Sequence, residues 1–464
     1  MTRSPDFDVV VVGGGPAGLF SAYWLCLHTS LKVCLLERGL RAKSRHCPVP
    51  NTGSCMRCKP SCNILCGLGG AGLFSDGKLN FIPKLGKSDL TRFMSLEEAL
   101  GLIAETETIF NFFGMDGPCY PPDKAAAEEL RKRAKIHGID LLLIRQKHLG
   151  SDFLPDYIEG MCSFMEEKGL LLRPGEPARD ILVREGQAAG VVTDKGEITS
   201  RAVILAPGRA GAEWMGELAA RFGLKVSQRG LEVGMRVEVH KDILADTTRV
   251  IYDPAFFVQT AHYDDQTRTF CTNPEGFVTL ENYEKFTCVN GHAFKNTKSE
   301  NSNFAFLSKV VLTDPVSDNH GYGEAIGRLA SIIGGGKAIL QRFGDLKRGR
   351  RSTWNRISKG YIRPTLQDVT PGDISMALPE RVVHNLVDGL EQLNKVVPGV
   401  ANEETLLYAP EIKFFSTQIE TDRHLETPLR GLFVAGDGPG VSGNIVAAAA
   451  TGLIPAKRIG EKLG

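Results

Sequence analysis

The segment Asp8-Val-Val-Val-Val-Gly-Gly-Gly-Pro-Ala-Gly-Leu runs β-branched residues straight into glycines, and Leu19–Leu25 continues as an apolar helix. That order reads as strand, tight turn, helix. Gly13, Gly15 and Gly18 stand in GxGxxG spacing, with Pro16 and Ala17 between them. The first glycine permits the turn, the second lets a pyrophosphate approach the backbone, and the third lets helix and strand pack closely. A second strand, Lys32-Val-Cys-Leu-Leu-Glu37, ends in an acid 19 residues after Gly18, followed by Arg38. A carboxylate there is placed to hydrogen-bond an adenosine ribose. A merely structural glycine turn explains the glycines but not the acid.

The other end of the chain repeats the theme. Gly431-Leu-Phe-Val-Ala-Gly-Asp-Gly-Pro-Gly-Val-Ser-Gly-Asn-Ile reads as a strand, a glycine-rich turn carrying Gly436 and Asp437, and the start of a helix of small residues. This resembles the second FAD signature of glutathione-reductase-type flavoproteins. The resemblance implies that Asp437 holds the ribityl chain, and that the amides near Gly443, Asn444 and Ile445 stabilise negative charge on reduced flavin. Ala202-Val-Ile-Leu-Ala-Pro-Gly208-Arg is similar to the family's strand ending in Ala-Thr-Gly, with Pro207 in place of the Thr. The segments Gly69-Gly-Ala-Gly-Leu-Phe-Ser-Asp-Gly-Lys-Leu79, Ile144–Asp152 and Gly234-Met-Arg-Val-Glu238 look like a largely uncharacterised family of bacterial FAD-dependent dehydrogenases, relatives of geranylgeranyl reductases. The resemblance extends over nearly the whole chain. It implies an α/β fold, with a Rossmann-like FAD-binding domain of the glutathione-reductase type and an inserted α+β substrate domain. Gly70 and Ser75 then join the cofactor contacts.

With its first and last motifs at opposite ends, the nucleotide domain is expected to be discontinuous: residues 1–85, 146–226 and 405–464. Residues 86–145, with helical spacing at Leu96, Leu100, Ile103 and Phe110, form a helical insertion. Residues 227–404 form the substrate domain, where alternating segments such as Gly234–His240 predict an antiparallel or mixed sheet. Gly334-Gly-Gly-Lys lacks the third glycine and reads as a loop. A transient NAD(P)H donor would dock without a Rossmann unit of its own.

Five of the 11 cysteines, Cys47, Cys55, Cys58, Cys62 and Cys66, fall within 20 residues. Three readings stand: a dithiol relay through Cys55 and Cys58, whose neighbours Arg57 and Lys59 favour thiolate; an iron-sulfur or zinc site using four of the five; or a loop packed over the cofactor with its thiols as small apolar groups. Cys271 and Cys288 sit in strand-like segments and are expected to be buried. His148 is the expected proton donor, against the plainer role of a hydrogen-bonded structural residue. Lys78 is expected near flavin N5 or N1, tuning its potential by charge, although Asp76-Gly77 also reads as a simple turn. The run Lys347-Arg-Gly-Arg-Arg351 with Arg356 is either a solvated face or a patch for an acidic substrate or a redox protein.

Fifty-five Lys and Arg against 54 Asp and Glu leave a net charge of +1, so no basic field points to nucleic acid. No apolar h-region opens the sequence and no uncharged apolar run of about 18 residues occurs, which predicts a cytoplasmic protein without a membrane span. The expected activity is hydride transfer between FAD and a small organic substrate, and kinship with the reductases implies forming or saturating a carbon-carbon double bond. A flavin monooxygenase and a flavoprotein electron carrier or sensor using the cysteine loop are the alternatives.

Overall fold

The computed structural model describes residues 4–48, 55–59, 61–86, 88–228, 230–283, 285–312, 318–414 and 417–464. Residues 49–54 and 60 of the cysteine loop lie outside the described residues, as do residues 1–3, where the opening was read for an h-region.

Two sheets organise the molecule. In the first, parallel strands lie in the order Leu171–Pro174, Val33–Glu37, Phe7–Val12, Gly196–Leu205, Leu432–Val434. Ala178–Arg184 and Gln187–Thr193 extend it as an antiparallel meander from Gly196–Leu205. Buried on both faces, the central strands read as unbroken apolar runs, and Val9, Val10, Val11, Leu35 and Ile204 have no solvent exposure. The first helix, Pro16–His28, packs on the last, Ile445–Leu463. Small residues make that contact close: Ser21 Oγ donates to Gly452 O at 2.8 Å, and a Cβ on Gly452 would lie 2.1 Å from Ala17 O. The ends of the chain are thereby fastened into one site.

The second sheet has eight strands, ordered Val369–Pro371, Ala338–Arg342, Leu406–Phe414, Leu231–His240, Asn301–Val310, Gln266–Asn273, Ala255–Gln259, Ile139–Leu142. Alternation in Leu231–His240 divides its faces. Val233, Met235 and Val237 join the apolar core under helix Glu380–Leu393, while Arg236 turns to the hairpin Phe277–His292. Two expected boundaries shift. Leu406–Phe414, expected in the nucleotide domain, is a central strand of the second sheet, and Ile139–Leu142, expected in the helical insertion, is that sheet's edge. Neither run is long enough for its own pattern to say which sheet it joins. Within the insertion, helices Leu96–Phe112 and Lys124–Ile136 start at Ser95, which forms a capping box with Glu98, and at Asp123. The Gly334 segment is the end of helix Asn319–Ile333, a loop as expected.

Candidate active site

A cavity of about 510 Å³ runs from the glycine turn of the first sheet to the second sheet, within the range of about 300–1,000 Å³ usual for ligand sites. Gly13 sits at φ +106°, and a Cβ there would lie 2.2 Å from Ala206 O. Gly18 is the packing glycine of the motif: its Cβ would lie 1.8 Å from Gly13 O. Gly18 does not line the cavity. The other residues expected to contact the cofactor do: Gly13, Gly15, Pro16, Ala17, Glu37, Arg38, Gly70, Ser75, Gly208, Gly436, Asp437, Gly443, Asn444 and Ile445. A Cβ on Gly15 would meet nothing closer than Gly70 Cα at 3.7 Å, and Gly15 lines the cavity at the N-terminus of helix Pro16–His28.

Glu37 does more than face the cavity. Its Oε2 accepts from Gly14 N at 2.7 Å, and its Oε1 accepts from Gly39 N at 2.8 Å and Gly67 N at 2.9 Å. One carboxylate ties the glycine turn, its own strand end and the end of the cysteine loop together. Oε2 retains acceptor capacity for a ribose hydroxyl. Arg38 donates through Nε and Nη2 to Cys66 Sγ at 3.1 and 3.0 Å, and both residues line the cavity. Burial raises the Cys66 pKa, with Arg38 working against it. Arg45, buried under Phe74, donates to the carbonyls of Asn63, Ile64 and Leu68. Burial pulls its pKa down to about 10 despite the nearby Glu37.

At the far end the second sheet supplies the wall. Lys78 is buried, with Nζ donating to Thr272 O at 2.5 Å, Asn273 Oδ1 at 3.1 Å and Cys271 Sγ at 3.4 Å. Burial alone would lower its pKa, but Cys271, Asp253 and Asp76 outweigh it and raise the value. All three N–H groups are engaged, so Lys78 presents a fixed positive charge rather than a proton. Cys271 takes a left-handed φ of +52° where the ladder shifts register between Phe270 and Asn273. Arg236, wholly buried, holds that bulge: Nη1 donates to Cys271 O at 2.9 Å, while Nε and Nη2 pair with Glu411 at 2.8 and 2.7 Å. Asp437 faces Arg209 at 3.6 Å, and Arg209 also pairs with Glu281 at 3.1 Å. The Gly443 amide donates to Ser88 Oγ at 2.8 Å, which takes it from the role expected for it, whereas helix Ile445–Leu463, capped by the Asn444 side chain, still directs its positive end at the cavity.

His148 is placed differently from its expected role as proton donor. It lies off the cavity wall, its Nδ1 2.8 Å from Asp76 Oδ1 and its ring stacked on Tyr252 at 4.0 Å. Tyr252 OH donates to Asp76 Oδ2 at 2.7 Å, closing a buried triad behind Lys78. The plainer structural role fits this geometry. Cys271, Asn80, Asn290, Arg209, Lys413 and Trp214 line the cavity without having been marked by sequence as site residues. Arg209 alone carried a signal, following Gly208 directly.

The clustered thiols fall into two surroundings, with Cys55 and Cys62 both meeting Asn282 and Cys66 held apart by Arg38. Cys47 and Cys55 pack against the apolar cluster under the second sheet, Cys55 Sγ accepts from Asn282 Nδ2 at 3.1 Å, and Cys66 meets Arg38. Among the described residues no three His, Cys, Asp or Glu side chains converge to hold a metal ion. In the basic run, Lys347, Arg348 and Arg350 pair with Glu391, Glu403 and Asp345, leaving a largely neutralised face. No helix among the described residues is long and apolar enough to cross a membrane.

Residues 231–413 match the family described as FAD-dependent protein, C-terminal domain-like, and residues 365–463 match glucose inhibited division protein A. An uncharacterised protein of Clostridium beijerinckii is 25% identical over 476 residues, covering 98% of this chain and 80% of that one. Among solved structures, glycine oxidase from Bacillus cereus is 11% identical (TM-score 0.41, 99% of this chain, 96% of that one). L-proline dehydrogenase from P. horikoshii is 12% identical (TM-score 0.42, 98% and 93%). A geranylgeranyl bacteriochlorophyll reductase-like protein from Thermoplasma acidophilum is 13% identical (TM-score 0.39, 98% and 78%). Residues 231–413, which hold the strands of the second sheet apart from Ile139–Leu142 and the last residue of Leu406–Phe414, are therefore a part of this chain similar to a described FAD-dependent family.

Proposed function

We propose that the chain is an FAD-dependent oxidoreductase of the glutathione-reductase type that passes a hydride between the flavin and a small organic substrate. The observation that carries this is the single cavity joining the GxGxxG turn to the charged wall formed by Lys78, Cys271 and Lys413. FAD, when bound, supplies the two-electron redox chemistry. Gly13, Gly15 and the N-terminus of helix Pro16–His28 hold the pyrophosphate. Glu37 accepts a ribose hydroxyl with its remaining lone pair, and Asp437 binds the ribityl chain. The positive end of helix Ile445–Leu463 and the Lys78 ammonium stabilise negative charge left by hydride transfer. Cys271, whose Sγ accepts from Lys78 Nζ at 3.4 Å, faces the cavity beside that ammonium. The resemblance of the sequence to geranylgeranyl reductases supports a carbon-carbon double bond as the one formed or saturated.

The test is anaerobic reduction of the purified holoprotein by NAD(P)H and by a panel of saturated and unsaturated organic compounds, followed by flavin absorbance. Bleaching by a member of the panel, or reoxidation of reduced enzyme by one under anaerobiosis, is the expected result. A flavin that exchanges electrons only with redox proteins and with no small molecule would overturn the reading.

A further inference from the structure

Two of the five clustered cysteines meet one residue. Asn282, the last residue of the strand Phe277–Asn282, donates through its side-chain Nδ2 to Cys55 Sγ at 3.1 Å, and its backbone N–H faces the Cys62 thiol. Further N–H groups reach both sulfurs. Arg57 N donates to Cys55 Sγ at 3.4 Å, and the amides of Ile64 and Leu65, in the turn that follows Cys62, face the Cys62 sulfur. Burial, with a lesser push from Glu281, raises the Cys62 pKa, and the three amides work against that rise. N–H groups aimed at sulfur stabilise the thiolate, which is the attacking species in thiol–disulfide exchange.

Access separates this pair from the buried thiols. Cys55 and Cys62 are half-buried, whereas Cys34, Cys66, Cys162, Cys271 and Cys288 are buried. Between the two, Met56, Arg57 and Lys59 are exposed, so little packing opposes closing the Cβ–Cβ distance to the about 3.5–4.5 Å that a disulfide needs. Neither cysteine lines the cavity, so a reagent in solution, rather than a cofactor in the cavity, takes the electrons. The pair nonetheless lies close behind the wall: Glu281, next to Asn282, pairs at 3.1 Å with Arg209, which lines the cavity.

We propose that Cys55 and Cys62 form a reversible disulfide by exchange with a small-molecule disulfide. The Cys55 thiolate attacks the external disulfide R–S–S–R, making Cys55–S–S–R and releasing one RS⁻. The Cys62 thiolate then attacks the Cys55 sulfur, closing the Cys55–Cys62 bond and releasing the second RS⁻. The two protein thiols lose two electrons and two protons, and the external disulfide becomes two thiols. For the test, the full chain is reduced, freed of reductant and incubated anaerobically with oxidised glutathione. It is then alkylated under denaturing conditions and digested, and its peptides are read by mass spectrometry. Alkylation is expected to fall about tenfold at Cys55 and Cys62 together, with Cys58 and Cys66 unchanged, and fragmentation to place the bond between Cys55 and Cys62. Excess reduced glutathione restores both thiols. The bond persists in Cys58→Ser, whereas in Cys62→Ser the Cys55 sulfur keeps glutathione as a mixed disulfide. A bond mapped to Cys55 and Cys58, a bond that survives in Cys62→Ser, a lasting mixed disulfide in the unaltered chain, or full alkylation of both thiols overturns the proposal. Should a serine variant not fold, fragmentation of the unaltered chain's peptides still decides.

Discussion

Glu37→Gln separates two roles for one side chain. In the structure each oxygen of Glu37 accepts backbone hydrogen bonds, Oε1 from Gly39 and Gly67 and Oε2 from Gly14. The glutamine carbonyl can keep only one of these two sets, so its NH2 group must face at least one N–H that it cannot satisfy. A hydrogen bond to a charged group contributes about 1.5–3 kcal/mol, and a buried unsatisfied donor costs about 1–3 kcal/mol. Loss of about 2–4 kcal/mol in local stability follows at a residue only 6% exposed. Hydrogen exchange of the protein without cofactor, read by mass spectrometry, reports it directly. At about 1.4 kcal/mol per tenfold, even the lower figure means roughly thirtyfold faster exchange in peptides covering residues 13–15 and 64–70. FAD affinity falls as well. A carboxylate acting only on the ribose would weaken FAD binding and leave exchange in the free protein unchanged. That outcome would refute the clamp.

Gly452→Ala places a methyl 2.1 Å from Ala17 O, so the first and last helices must separate; we expect a lower melting temperature and weakened FAD retention, checked by thermal denaturation and flavin release. His292 is fully buried among Phe74, Phe277 and Phe294, and burial, reinforced by Lys78, drives its pKa from 6.5 down to about 4. Between these values the unfolded chain takes up a proton that the folded chain refuses, so stability is retained above pH 6.5 and falls by about 1.4 kcal/mol per pH unit as pH drops toward 4. His292→Phe should flatten that slope in urea midpoints measured across the window, and an identical slope would count against the assignment. Lys78→Met should lower the flavin midpoint potential, by about 30 mV for each ~1.4 kcal/mol of stabilisation lost, whereas Lys78→Arg should restore most of it. An unmoved potential in spectroelectrochemical titration of the methionine variant would remove Lys78 from the cofactor's surroundings.

What could be read from sequence was whatever a short local pattern encodes. The turn at Gly13–Gly18 and the loop at Gly436–Asn444 specify backbone conformation locally, and Gly13, Gly15, Pro16, Ala17, Gly436, Asp437, Gly443 and Asn444 are found on the cavity wall. Glu37 was legible as a carboxylate at the end of a strand. Its three amide partners were not, because Gly39 and Gly67 reach it only through the path of the loops. Cys271 looks like an ordinary strand residue, and only the shift in ladder register turns it to the cavity. Lys413 and Arg236 lie on different strands, and only the pairing of those strands brings both cations to Glu411. His148 lies in a segment that resembles the family's, but strand pairing sets it opposite Lys78 and leaves the imidazole off the cavity wall with Asp76 and Tyr252, a placement no local pattern encodes.

The central claim is that this cavity holds FAD. Chain purified, or reconstituted with FAD and freed of excess, is denatured and the released nucleotide identified and counted against protein. The account predicts one FAD per chain, diminished in both Gly452→Ala and Glu37→Gln. Chain that is folded by circular dichroism yet binds neither FAD during expression nor FAD added afterwards would contradict it.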